Sequence, residues 1–80
     1  MNKKEQIQSF QNNINVLKRS NDIDKQEIAR MRQTLKSNPG FSKSTKDDYK
    51  RMIANKQSNI AQRNEQIKII KEQIARMKQS

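Results

Sequence analysis

The residues of this chain able to do chemistry are nearly all cations. Eighteen lysines and arginines stand against eight aspartates and glutamates, a net charge of +10. With no histidine and no cysteine, the usual general base, the thiol nucleophile and the commonest zinc ligands are missing. A glycine-rich phosphate loop is ruled out by there being a single glycine, Gly40. Lacking a nucleophile–base pair or a metal-ligand set, the chain is expected not to be an enzyme and to use no metal or cofactor. What remains is electrostatics. Excess positive charge suits a polyanionic partner: nucleic acid, DNA or RNA, or an acidic protein surface. The same charge also keeps a small protein dispersed, so solubility is the plainer reading.

Whether those cations act together depends on the elements that carry them. Pro39 and Gly40 are the only proline and the only glycine, and they are adjacent near the midpoint. With Ser37, Asn38, Ser42 and Ser44 they form one break in a chain otherwise rich in Gln, Lys, Glu, Arg, Ile and Met. Ser44-x-x-Asp47 and Thr45-x-x-Asp48 both read as N-terminal capping boxes, with Asp47 and Asp48 in the first turn of the second helix. Lys36, Arg76 and Lys78 supply the cations that helix C-termini prefer. Helices are therefore expected at about residues 3–36 and 45–79, each roughly 50 Å long at 1.5 Å per residue.

Apolar residues recur at alternating spacings of three and four, the mark of a coiled-coil seam. In the first helix Ile7, Ile14, Ile28 and Leu35 take position a, and Phe10, Leu17 and Met31 take d. In the second, Ile53, Ile60, Ile67 and Ile74 are a, and Tyr49, Ile70 and Met77 are d. EIARMRQ at 27–33 matches QIARMKQ at 73–79, and the same offset pairs Gln11 with Gln57, Ile23 with Ile69 and Lys25 with Lys71. The fold class is thus all-α: an antiparallel two-helix coiled-coil hairpin forming one small domain over residues 1–80. In the expected register, facing residue numbers add to 84, which pairs Leu17 with Ile67 and Phe10 with Ile74 and centres the turn on Phe41-Ser42. The alternative is a three-helix bundle, because Ser20, Asn21 and Asp22 are good capping residues and could break the first helix.

Two polar features follow from this register. Asn21 and Asp24 interrupt the seam in the first helix, and Lys56 and Arg63 interrupt it in the second. Such a polar core fixes register at a cost in stability, or else marks a binding spot or hinge. In an antiparallel pair e faces e and g faces g. The e positions include Lys4, Lys18, Lys25 and Arg32 in the first helix and Lys50, Lys71 and Lys78 in the second. No e position carries an acid, and the g edge is rich in amides. These seven cations are the candidate nucleic-acid-binding residues, because a linear basic ridge suits a phosphate backbone. Phe10, Phe41 and Tyr49, the only aromatics, are assigned to the seam and the turn, which leaves little for base stacking.

Phe41 is expected to cap the hairpin end over Leu35. Val16, Ile23 and Ile69 at c, with Met52 at g, form a modest second apolar face that could join two hairpins into a four-helix homodimer. The segment IKIIKEQIARMKQ (residues 67–79) is similar to the C-terminal helix of a small basic helical-hairpin protein of the large ribosomal subunit. In that family the loop lies closer to this helix and differs in sequence, so neither fold nor function is carried over. No apolar run approaches the roughly 20 residues that span a bilayer, and no signal-peptide core is present, so the expected location is cytoplasmic, or a virion. The Asn, Lys and Ile bias fits a phage or mobile element. The competing function is accordingly an assembly or inhibitor protein of such an element, docking on a protein partner through the hairpin.

Overall fold

Breaker-free sequence on either side of Pro39-Gly40 leaves the backbone free to bond to itself over its whole length, and it does so. The computed structural model describes residues 2–79, with two helices, α1 from Lys3 to Ser37 and α2 from Lys43 to Gln79. They pack against each other as an antiparallel hairpin 59 Å long and 16 by 14 Å across. The radius of gyration is 18.1 Å, against about 11.6 Å for a compact domain of this length. No strand occurs among the described residues. α1 runs unbroken through Ser20, Asn21 and Asp22, so the three-helix alternative is wrong. With no glycine or proline nearby, the capping residues there stay within the helix.

The helix ends are built from residues that the heptad pattern does not mark. Asn2 caps α1: its side-chain oxygen accepts the Glu5 backbone N–H at 2.8 Å, and its amide donates to Glu5 Oε1 at 3.2 Å. This is a capping arrangement with Asn in place of Ser or Thr. At the other end, the Asn38 amide donates to the Thr34 carbonyl at 2.8 Å, satisfying one of the carbonyls that a helix terminus leaves open. The chain then turns over Asn38-Pro39-Gly40-Phe41, closed by the Phe41 N–H on the Asn38 carbonyl at 3.1 Å. α2 begins two residues earlier than expected. Its cap is Ser42, whose Oγ accepts the Thr45 N–H at 3.1 Å and donates to Thr45 Oγ1 at 3.0 Å. Ser44 and Thr45 already lie inside the helix, and the first turn holds no acid. The capping boxes at Ser44 and Thr45 and the placement of Asp47 and Asp48 in that turn are corrected accordingly. The non-helical residues are 38–42, so the turn centres on Gly40 rather than on Phe41-Ser42.

The core is the seam, and it is not sealed evenly. Every seam position from Ile7 to Leu35 and from Tyr49 to Met77 is buried or half-buried. The buried apolar residues are Ile14, Ile28, Ile53, Ile67 and Ile74, and all five stand at a. No apolar d residue is fully buried: Phe10, Leu17, Met31, Tyr49, Ile70 and Met77 all keep part of their surface in water. The a positions border the e edge, where Lys18 and Lys71 line the same grooves as Ile14, Ile67 and Ile74. Lysine stems cover apolar surface while the ammonium stays wet. The d positions border the g edge, whose short amides and hydroxyls cover less. The largest cluster joins Ile14, Ile67 and Ile74 with Ile7, Phe10, Leu17 and Ile70, in keeping with facing numbers near 84. Burial follows the internal repeat in part: Ile28 and Ile74 are buried and Ile23 and Ile69 exposed, whereas Ile14 is buried and its counterpart Ile60 half-buried. At the turn, the Phe41 ring stacks on Tyr49 with centroids 5.9 Å apart and planes 8° from parallel, closing that end of the seam.

Candidate nucleic-acid interface

Charge placement in the hairpin begins with the polar residues of the seam. Arg63 Nη1 donates to Asp24 Oδ2 at 2.5 Å and lies 3.5 Å from Asn21 Oδ1. Lys56 Nζ lies 3.8 Å from Asp24 Oδ1 and donates to Glu27 Oε2. The Asn21 amide donates to Asn64 Oδ1 at 3.0 Å. Asn21, Asp24, Lys56 and Arg63 therefore meet in one network, which Glu27 from a g position and Asn64 from an e position complete. Those two were not in the sequence-derived set, because a seam pattern records only a and d. A lysine at d, one turn from a g-position glutamate across an antiparallel pair, is the signal that identifies Glu27. Asn21 and Asp24 are buried, and no buried side-chain nitrogen or oxygen among the described residues lacks a partner. The Lys56 ammonium is held above its usual range, first by its hydrogen bond to Glu27 and then by the charges of Glu27 and Asp24, against opposition from burial and from Arg63.

This network has a consequence for the surface. Two cations and two acids neutralise each other in the seam, so the remaining sixteen Lys/Arg and six Asp/Glu carry the whole +10 on the outside (18 − 2 against 8 − 2). Lys4, Lys18, Lys25, Arg32, Lys50, Lys71 and Lys78 are all exposed. Among the described residues none of the seven is in an ion pair. Three of them converge. Lys18, Lys25 and Lys71 line one open groove on the e edge together with Asn21, Asn64 and Ile67, and Lys18 and Lys71 continue into a second with Gln11, Asn15 and Ile74. Lys4 lies apart with Lys3 in a depression near the start of α1. Arg32, Lys50 and Lys78 line none of these grooves.

Position b adds residues that counting e and g positions passes over. Lys68 extends the basic groove along α2 beside Asn64 and Lys71. Asp22 lines the groove opposite Lys71, so the edge is not free of acid at its centre. Glu72 borders the Lys68 depression in the same way. The polar seam network and the groove are continuous, since Asn21 and Asn64 belong to both. The arrangement can hold anionic oxygens by charge and by amide hydrogen bonds, and its lining includes no aromatic ring to stack a base. No group of three or more acidic side chains is placed to hold a metal ion among the described residues. No helix among them is long and apolar enough to cross a membrane. No protein-family model, no curated protein and no solved structure matches the chain.

Proposed function

We propose that this chain is a small non-enzymatic protein that binds the backbone of nucleic acid, DNA or RNA, along its basic edge. The observation that carries this reading is the groove formed by Lys18, Lys25 and Lys71, three cations in no ion pair among the described residues, flanked by the amides of Asn21 and Asn64 and by one acid, Asp22. Lys18 and Lys25 are one heptad apart on α1, about 10.5 Å along the helix axis. A duplex strand presents a phosphate every 3.4 Å or so of axis, and a single strand can follow a groove, so either form finds several phosphates within reach. Like charges held side by side repel, and a polyanion seated there would relieve that repulsion. With Phe41 stacked on Tyr49 and Phe10 packed in the seam, no aromatic is free to stack bases, so recognition would be by backbone and indifferent to sequence.

Affinity for a generic 20-base-pair duplex and for a single strand of the same length, measured across a salt series, tests this. If only the three groove lysines meet phosphates, log K should fall with log salt at a slope of about −2.7 on duplex, and at about −6.3 if all seven edge cations do. Reversing Lys18, Lys25 and Lys71 to Glu should abolish binding, whereas Arg19→Glu, exposed at an f position off the basic edge, should leave it within about twofold by comparison with the single-charge effects expected at this distance. Undetectable binding at low salt, or affinity untouched by the triple reversal, overturns the reading and turns attention to an acidic protein surface.

A further inference from the structure

We infer that the g edge of the hairpin is a self-association surface, and that its occupant is a second copy of this chain. The inference is independent of nucleic-acid binding, which uses the opposite edge. Its first support is the pattern of exposed apolar residues. Val16, Ile23, Met52 and Ile69 are 57, 50, 41 and 45% exposed, and all four lie at c or g, on the same side of the hairpin. In the register of the hairpin Val16 and Ile69 sit at one level, one on each helix. Beneath them are Phe10, Leu17 and Ile70, seam residues that the g edge leaves half-covered. The strongly exposed large apolar side chains are therefore gathered on one side.

The second support is charge. From Gln6 to Ile23 on α1 and from Asn59 to Gln73 on α2, the c and g positions hold no charged residue; between the apolar side chains they carry Asn13, Ser20 and Gln66. In a chain of net charge +10, most approaches between copies are opposed by repulsion. Outside these stretches the same positions include Arg30, Arg76 and Glu27; within them two copies meet without bringing like charges together, and their basic edges point outward, away from each other. An acidic partner would be drawn to the e edge instead. A neutral, amide-studded apolar strip has no charge with which to select a foreign partner, and it matches its own image under a two-fold axis.

The third support is area. The hairpin exposes 6056 Å² at 9.5 kDa, whereas a compact monomer of that mass exposes about 5,050 Å². The excess of about 1,000 Å² is slightly more than the roughly 800 Å² that each partner buries in a standard protein interface. Two hairpins joined along their g edges make a four-helix bundle, in which the half-covered d residues become interior.

Sedimentation equilibrium on the full chain, from low micromolar to submillimolar concentration, tests the inference. The wild type should reach twice the 9.5-kDa monomer mass, with a melting temperature that rises with concentration. The double variant Val16→Lys, Ile69→Lys should stay monomeric with its helical circular dichroism retained. Asn12→Lys, Ser58→Lys adds the same charge at f positions and should still dimerise, which separates the face from net charge. If the lysine pair unfolds the chain, Val16→Ser, Ile69→Gln provides the milder form and should weaken association at least tenfold. A wild type that is monomeric at every concentration overturns the inference. So does undiminished dimerisation of the folded Val16/Ile69 variants.

Discussion

Asp24 is the carboxylate that makes the polar seam possible. It is 8% exposed and lies between Arg63 at 2.5 Å and Lys56 at 3.8 Å, so removing it leaves two cations in the seam. Asp24→Ala should destabilise the hairpin by about 2–3 kcal/mol, at the lower end of the range for breaking a buried pair because both cations keep some contact with water. Urea unfolding followed by circular dichroism measures this directly. Replacing the four seam members of the network together, Asn21→Ile, Asp24→Leu, Lys56→Leu and Arg63→Leu, should instead leave stability equal or higher while permitting more than one register or mass. A large loss of stability in that variant would mean that the network supports the fold rather than specifying it. Lys56 also sets a pH dependence. Its pKa is raised from 10.5 in the folded state, so its contribution to stability is complete below the unfolded value and disappears as pH climbs through the raised one. The stability difference between wild type and Lys56→Gln should therefore hold up to the unfolded lysine value, about 10.5, and shrink as pH rises above it.

At the scale of elements, the two helices and their register were legible in the sequence because period and burial impose the same constraint. A residue such as Ile14 or Ile67 can be an a residue only if it faces the partner helix, and both are buried. The polar interruptions were legible for the same reason: Asn21 and Asp24 fall on the seam by count. What count cannot give is a contact made from outside the seam, which is why Glu27 and Asn64 emerge only in three dimensions. Helix ends were the least legible part. Ser42, Ser44 and Thr45 are all capping residue types within four positions, and local type alone does not choose among them. The choice falls to Ser42 because Phe41, the residue before it, is held on Tyr49, fixing where the chain must enter α2. Ser42→Ala should accordingly cost about 1 kcal/mol, and Ser44→Ala no more than a few tenths. Comparable losses for the two serines in thermal unfolding would contradict this assignment of the cap. The basic groove was partly legible, since Lys18, Lys25 and Lys71 share an edge by heptad position. Asp22 and Lys68 were not, because position b only reaches the groove once two helices are wrapped together.

For the molecule as a whole, the sign of its response to salt distinguishes two ways in which charge could act. If ion pairs held the hairpin together, added salt would screen them and lower stability. The part-buried pairs of Asp24 and Glu27 are screened less than pairs fully in water, however, and the exposed pair, Arg51 with Asp48 at 3.2 Å, is a local one within α2 and is worth little. Against them stands an uncompensated surface charge of +10, with Lys18, Lys25 and Lys71 gathered in one groove of the e edge. Each such like-charge pair costs a few tenths of a kcal/mol at low salt, so the edge should cost on the order of 1 kcal/mol in all. Raising ionic strength from about 0.01 to about 0.15 M shortens the screening length from some 30 Å to 8 Å and should raise the melting temperature by several degrees. The Lys18→Gln, Lys25→Gln, Lys71→Gln variant removes the repulsion and should show a smaller rise. A melting temperature that falls with salt would mean that attraction dominates, and would remove the electrostatic reason for a polyanion to settle on this edge. The self-association proposed for the g edge should move the same way: screening weakens the mutual repulsion of two +10 chains without touching the neutral surface between them, so dimerisation should strengthen under the conditions that weaken nucleic-acid binding. Following mass and nucleic-acid affinity over one salt series would show the two edges responding in opposite directions.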